Sequence, residues 1–541
     1  MTSPARHTIG IDVGTGSARA GVFDSQGNML GSAKADLVIH RGPGSMVEQS
    51  SLQIWDAVCQ SVRNAMQTAS SHPAQIAGIG FDATCSLVVV GPGGTPLPVG
   101  PSDDAERNVI VWMDHRALDQ AARINAMGHD VLKYVGGVIS PEMQTPKLLW
   151  LRENRPDVFA AAWQFFDLAD YLTWRATDDL SRSTCTLTCK WTYLAHESRW
   201  DAGYFHAIGL GQLADEGFAR IGTTVLQPGS ALGAGLTASA ARDLGLRPGT
   251  PVAAGLIDAH AGGIGTVGAM TGKGDVTDCM AYVFGTSTCT MTTTRDPVFV
   301  PGVWGPYFSA MVPGMWLNEG GQSAAGAAID HLLTLHPAAH DAKLAAQAAG
   351  VPLPAWLADQ AVLRVTTPSD AVHLARGVHV VPEFLGNRAP FADPTARAII
   401  AGLGIDTDLG SLIALYIAGI CGLGYGLRQI ITVQAAHGAP VKRLMISGGA
   451  GQHDLIRQIL ADTTGLPVIA TVADEPVLLG SAIIGAVAGG LFATVPHAMA
   501  AMSATKQQFM PTTGATQTLH AVRFRAFERL QTVARDIAAD Q

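Results

Sequence analysis

Charge is scarce in this chain. Asp, Glu, Lys and Arg make up 15% of its 541 residues, well below the roughly 25% usual in globular proteins, and no dense run of Lys or Arg occurs. With 44 acidic against 35 basic residues and a formal net charge of −9, the chain lacks the clustered cations that neutralising nucleic-acid phosphates requires. Cysteine is scarce as well. The seven, at 59, 85, 185, 189, 279, 289 and 421, are odd in number and match no zinc-finger spacing. That excludes a disulfide scaffold and points to reduced thiols in a cytoplasmic protein. The opening MTSPARHTIGIDVGTGS has no long apolar core ahead of the first strand, so no secretory leader is expected. Small and apolar residues are plentiful, with 61 glycines and 48% hydrophobic residues, which excludes disorder and allows a large core.

Two uncharged stretches, 409–427 and 476–496, approach or reach membrane-spanning length. Both are dense in Gly, Ala and Ser, and polar segments flank each closely, so buried helices of a close-packed core are expected. Elsewhere strands alternate with helices, which argues an α/β fold with mixed sheets. Ile9 to Val13, Ala18 to Phe23 and Met29 to Leu37 predict a three-stranded meander. Leu52 to Ala69 follows as a helix capped by Ser50 or Ser51, and Ile76 to Phe81 as a strand ending in Asp82. Helices are predicted near 114–127, 143–154 and 167–176, and a buried strand over 251–257 delivers Asp258. Thr277 to Phe284 then repeats the opening grammar: a strand, a Gly-Thr turn at Gly285 to Thr288, and a second β-run from Cys289 to Thr293. The turns that begin at Gly14 and Gly285 lie half a chain apart. Length alone allows about three to four domains, or two large ones. The repeated turn favours two, divided at 265/266.

Glycine turns after strands suit phosphate, because backbone N–H groups can approach the anion and neighbouring hydroxyls add donors. Asp12 precedes the Gly14 to Ser17 turn and could hold Mg²⁺, or be a solvated residue of a plain hairpin. Ser447 to Gln452, between the strand Arg443 to Ile446 and the helical run Asp454 to Asp462, either leaves a gap for a nucleobase or is an ordinary strand-to-helix turn. Asp258 ends a strand and could accept a hydroxyl proton as general base, a role compatible with capping the next helix. Asp82 to Ser86 is either a polyhydroxyl-binding edge or a turn. Two further patterns are set aside. Gly263 to Gly268 satisfies G-x-G-x-x-G inside a helical stretch, where close helix packing is expected. Gly272-Lys273 resembles a P-loop end, but Val267 and Gly274 break that motif.

Taken together, IGIDVGTGSARAGVFD from Ile9, KLLWLREN from Lys147, AGLIDAHAG around Asp258, FGTST from Phe284, NEGGQSAAG from Asn318 and SGGAGQHDLIRQILADTTGLPV from Ser447 resemble the FGGY family of carbohydrate kinases, from about residue 8 to 490. Their order and spacing carry the specificity. The resemblance implies two actin-like (ribonuclease H-like) domains, 1–265 for sugar and 266–541 for nucleotide, flanking a catalytic cleft. Asp258 would be the catalytic base and Asp12 would serve Mg²⁺. Gly14, Thr15, Gly16, Ser17, Gly285 and Thr286 would contact ATP phosphates, with Gln322 beside the nucleotide and Gly448 and Gly449 at the adenine. GFDATCSLV (80–88) and WMDHRA (112–117) resemble the ribulokinase branch, so Asp82, Thr84, Asp114, Lys190 and Glu319 would face the substrate with Asp258. Trp112 is expected to pack. The family's first signature is half present before Lys147, and the second lapses after Leu403, with Leu412 where a polar residue is usual. The expected activity is ATP-dependent phosphorylation of a pentulose, D-ribulose first, with ribitol and L-ribulose as the nearest alternatives. An actin- or chaperone-like ATPase and a membrane protein are the rivals from other classes. The expected partners are a small sugar and ATP, with no nucleic acid and no membrane; a homodimer is the oligomer to test.

Overall fold

β1 (His7–Val13), β2 (Ser17–Phe23) and β3 (Met29–Asp36) form the antiparallel meander that the opening residues predict. The structure, a computed structural model, describes residues 6–270 and 275–539, so Gly272-Lys273 lies outside the described residues. Helix α1 (Ser51–Thr68) starts where the Ser50 hydroxyl accepts the Gln53 N–H, and it buries Ile54, Trp55, Val58, Val62, Ala65 and Met66 on one face. Each such large side chain contributes about 1.5–3 kcal/mol on burial, so Val62→Asp would undo the face. β4 (Ile76–Ala83) joins β1 in parallel and sets Asp12 beside Asp82. Helices α2 (Gln144–Asn154) and α3 (Thr184–Lys190) follow, then β5 (Leu256–Ile257) and α4 (Asp258–Val267). The five-stranded sheet runs β5-β4-β1-β2-β3.

The second half repeats this layout. β6 (Cys279–Phe284), β7 (Thr288–Thr294), β8 (Trp304–Phe308) and β9 (Trp316–Gly320) are antiparallel neighbours. After helix α5 (Leu409–Ala436), β10 (Arg443–Ser447) joins β6 in parallel; α6 (Asp454–Thr464) leads to β11 (Val468–Thr471), parallel to β10. Helix α7 (Pro476–Ala488), the edge strand β12 (Thr505–Phe509) and helix α8 (Ala515–Ala539) complete it. The seven-stranded sheet runs β8-β9-β7-β6-β10-β11-β12. In each sheet the leading strand has an antiparallel hairpin partner on one side and a parallel strand on the other.

The two uncharged stretches are α5 and α7, and both are core helices. Among the described residues α5 is the one helix long and apolar enough to span a membrane, and 78% of its most apolar window is buried. α7 crosses from the second half to pack on β1 and β4, while α4 packs on α7 and reaches β6. Glycine makes that approach possible. A Cβ at Gly10 would lie 1.9 Å from the Leu478 carbonyl oxygen, and one at Gly265 would lie 2.0 Å from that of Pro476. The G-x-G-x-x-G of α4 is therefore a helix-packing surface.

Three segments depart from the expected elements. The 251–257 strand is broken: Pro251 to Ala253 bond to Ile79 of β4, the Ala254 N–H donates instead to the Ser230 carbonyl, and Leu256–Ile257 rejoins the sheet edge. The residues 276–278 make a 3₁₀ turn capped by Asp275, which delays β6 to Cys279. The helix expected from 114 begins at Leu118, because Asp114 is held by Arg116 and the Val47 amide. Helix α8 packs on α6, α5 and the strand His379–Val381.

Candidate active site

A solvent-open cavity of about 300 Å³ lies between the two sheets. From the first half it receives Asp12, Gly14, Thr15 and Arg19 on the β1–β2 hairpin, Thr84 and Cys85 after β4, Trp112 and Glu142 from loops, Lys190 at the end of α3, and Asp258 at the start of α4. The second half supplies Val283, Ser287 and Cys289 from the β6–β7 hairpin, Trp304 and Glu319 from β8 and β9, and Arg388 from a loop. Strand ends and helix starts thus converge on one point, as open α/β sheets place ligands.

The carboxyls differ in state. Burial first, and then the nearby Asp12, push Asp258 up to about 7, against the pull of the Ala259 amide and of His260 and Lys190. A carboxyl so poised can take a proton near neutral pH. Asp82 is fully buried. Burial and the Asp12 charge hold it well above the carboxylate range despite the 2.5 Å bond from the Ser481 hydroxyl. Asp12 itself is paired with Arg19, its cross-strand neighbour, which also reaches Glu475 at 2.7 Å. Glu319 goes the other way: burial would raise it, but Lys190, His260 and Arg388 outweigh that and hold it at about 2. Lys190 stays charged, because the Cys85 sulfur and Glu319 outweigh its burial; its Nζ lies 4.8 Å from the Trp304 ring centroid. Glu142 lies below its ordinary value, because the His115 bond at 3.3 Å and the Arg388 and Lys190 charges overcome burial.

Of the residues singled out from sequence, Asp12, Gly14, Thr15, Thr84, Lys190, Asp258 and Glu319 line this cavity together. Gly16 and Ser17 complete the first turn behind it, where the Ser17 carbonyl accepts the Gly14 N–H at 3.0 Å. Gly285 and Thr286 form the facing turn, and their carbonyls accept the amides of residues 325–327. Asp82 sits one layer behind Asp12. Asp114 is outside the lining: Arg116 grips its carboxylate at 2.7 Å, both side chains are buried, and so its charge is already spent. Gln322 bonds the Leu423 carbonyl and lines a neighbouring recess with Arg388 and Gly426. Gly448 lines another recess beside Gln452, Asp474 and Lys506; Gly449 is in neither lining. Trp112 does more than pack, since its indole N–H donates to the Thr15 hydroxyl at 2.9 Å. Sequence reasoning missed Arg19, Glu142, Trp304, Cys289 and Arg388. Arg19 was legible, because strand pairing places it opposite Asp12. Arg388 and Glu142 come from loops without periodicity and left no signal.

The glycines show what the turns can hold. A Cβ at Gly14 or Gly285 would come no closer than 3.6 Å or 3.7 Å to any atom beyond the adjacent residues, and at Gly16 or Gly449 it would meet nothing within 4 Å. None of the four has a positive φ. Packing does not demand glycine there, so the open space suits an approaching phosphate. Arg19 contacts Asp12 through Oδ2 alone, and a single carboxylate fits Mg²⁺, which binds through one or two carboxylates and keeps its waters. Among the described residues no three His, Cys, Asp or Glu side chains form a complete metal cage.

Two α/β lobes facing one cavity, with a buried, raised carboxyl between two glycine turns, have the layout of a phosphotransferase. Residues 7–265 match the N-terminal domain, and 280–489 the C-terminal domain, of the FGGY family of carbohydrate kinases. The chain is 46% identical over 94% of its length to an FGGY carbohydrate kinase domain-containing protein of Homo sapiens, covering 93% of it. It is 38% identical to a D-ribulokinase of Saccharomyces cerevisiae, over 90% of this chain and 72% of that one. The xylulose kinase of Rhodospirillum rubrum shares the fold with a TM-score of 0.80 at 22% identity, covering 99% of this chain and 100% of the other. The chain belongs to the FGGY family of carbohydrate kinases and is an ATP-dependent sugar phosphotransferase.

Proposed function

We propose that this kinase phosphorylates a pentulose, D-ribulose at its 5-hydroxyl, with Asp258 as general base. The observation that carries the reading is Asp258: a buried carboxyl raised to about 7, at the start of a helix, facing the cavity that Lys190 and Glu319 also line. The 38% identity to a D-ribulokinase supports the choice of sugar.

Asp258 takes the proton of the hydroxyl as that oxygen bonds to the γ-phosphorus of ATP and the bond to the β-phosphate oxygen breaks. Lys190 and Glu319 offer a donor and an acceptor to the sugar's oxygens, and the faces of Trp112 and Trp304 bound its carbon skeleton. The Gly14–Thr15 and Gly285–Thr286 turns present amides and hydroxyls to the phosphates, while Asp12 and Arg19 fix charge beside them. Mg²⁺, held by Asp12, would supply neutralisation of phosphate charge. Gly448 and Gly449 border the nucleoside end and Gln322 lies beside it. The two lobes, 1–265 and 266–541, exclude water by closing.

ADP release in the presence of D-ribulose, L-ribulose, D-xylulose and ribitol tests the reading. D-ribulose is expected to give the highest kcat/KM. Turnover of ribitol with none of D-ribulose would overturn the choice of substrate, and ADP release independent of any sugar would favour a non-sugar ATPase.

A further inference from the structure

His260 is wholly buried, two residues past Asp258, and lies outside the cavity lining. Its Nδ1 meets the sulfur of Cys185 at 3.1 Å. Its Nε2 lies 3.4 Å from Oε2 of Glu319, within ion-pair range, and neither atom has a hydrogen-bond partner among the described residues. The same sulfur accepts the backbone N–H of Ile257 at 3.3 Å, so Cys185 holds the chain on both sides of Asp258. Helix α3 carries Cys185 at its start and Lys190 at its end. It is anchored by the Ser183 hydroxyl, which caps Cys185 and donates to the Gly255 carbonyl at 2.7 Å.

We propose that His260 is a positioning residue, donating from both ring nitrogens so that Cys185, His260 and Glu319 form one buried chain that aims the Glu319 carboxylate at the sugar and steadies Asp258. The inference rests on the reading of Glu319 as a sugar ligand. A polar chain sealed from water costs free energy that an apolar side chain of like size would avoid, and this one leads from the floor of α3 to a cavity carboxylate. The charges agree with it. Burial would lower His260, but Cys185 and Glu319 outweigh it and raise the imidazole. Burial would raise Cys185, but the bond from Cys189 and the His260 charge hold the thiol below its ordinary value. The other charged or titratable groups facing the chain are Asp258, Lys190, Arg388 and Cys189, whose sulfur lies 4.0 Å from the His260 Nδ1.

Two substitutions separate the ring nitrogens. His260→Gln keeps an N–H donor near the Nε2 position, and His260→Asn keeps one near Nδ1. Loss of a charge-assisted bond is worth about a tenfold change or more. His260→Asn is therefore expected to raise KM for D-ribulose about tenfold or more with KM for ATP unchanged, and His260→Gln to stay within about threefold of wild type. Cys185→Ala is expected to lower kcat, and Cys185→Ser to restore it. Equal sugar KM in all the His260 variants would overturn the proposal. So would a uniform loss of kcat, sugar affinity and ATP affinity with a lowered Tm, the mark of a merely structural residue. A wild-type enzyme inert on D-ribulose would defeat the substrate reading instead. In that event ¹⁵N spectra of histidine-labelled free enzyme still decide: the resonances lost in His260→Asn should show both nitrogens protonated at pH 7.5, and an unprotonated Nε2 would overturn the proposal.

Discussion

The Gly14–Ser17 turn of the first lobe and the Gly285–Thr288 turn of the second are the same backbone device carrying different chemistry. Each closes an antiparallel hairpin after the leading strand of its sheet, with the first glycine N–H bonded at 3.0 Å to a carbonyl two or three residues on. In the first lobe the residue two before the turn is Asp12, in a row that reads Arg19, Asp12, Asp82 across three strands. In the second it is Val283, in a row that reads Cys289, Val283, Ser447. The phosphate-type turn was kept in both copies and the ionic row in one. Most of the cavity's charged side chains are therefore on the first lobe, facing the neutral row, with Glu319 and Arg388 contributed by the second.

The largest expected effect removes the acceptor that this ionic row surrounds. Asp258→Asn should lower kcat about a thousandfold, in the range of lost general-base catalysis, with KM for ATP little changed. Its stability should move the other way. The folded value of about 7 lies above the ordinary carboxylate range, so stability contributed by this group is present at low pH and lost as pH rises toward about 7. The Asn variant should melt no lower than wild type at pH 8, and calorimetry checks this. Next, importing the second lobe's residue with Asp12→Val should cost kcat about a hundredfold and make activity insensitive to Mg²⁺ concentration, since phosphate charge then goes unneutralised. The converse, Val283→Asp, adds a carboxylate to the cavity. We expect about a tenfold loss in kcat/KM and a base titration moved to higher pH, read from initial rates across pH.

Glycines sharpen the comparison at the small end. Gly10→Ala meets the Leu478 carbonyl oxygen at 1.9 Å, a backbone clash that should cost about 3 kcal/mol or more in urea unfolding. Gly16→Ala meets nothing within 4 Å, so its Tm should equal the wild type's, and any rise in KM for ATP then reports the phosphate contact alone.

What the sequence made legible follows from periodicity and strand grammar. The meander, α1, α5, α7 and the placement of Asp12 and Asp258 at strand ends were all readable because each depends on neighbours within a few residues. Asp114 lies outside the cavity lining, since Arg116, two residues on, and the Val47 amide take up its carboxylate, and only the second of these contacts joins segments distant in the chain. Gly448 was read for its chemistry, yet its φ of 93° and a Cβ distance of 2.4 Å to the Phe284 carbonyl oxygen show a glycine that the fold itself requires. Arg388 and Glu142 reach the cavity from irregular loops, and the Cys185–His260–Glu319 chain joins three distant segments. Such meetings exist only after folding.

The central claim is that Asp258, raised by burial and by Asp12, takes the proton. It is tested most directly by the pH dependence of kcat/KM for D-ribulose at saturating ATP and Mg²⁺. The expected profile falls about tenfold per pH unit below about 7 and is level above it, and the slope is absent from the residual activity of Asp258→Asn. A wild-type profile level from about pH 5.5 to 8.5, or the same slope in Asp258→Asn, would contradict the account.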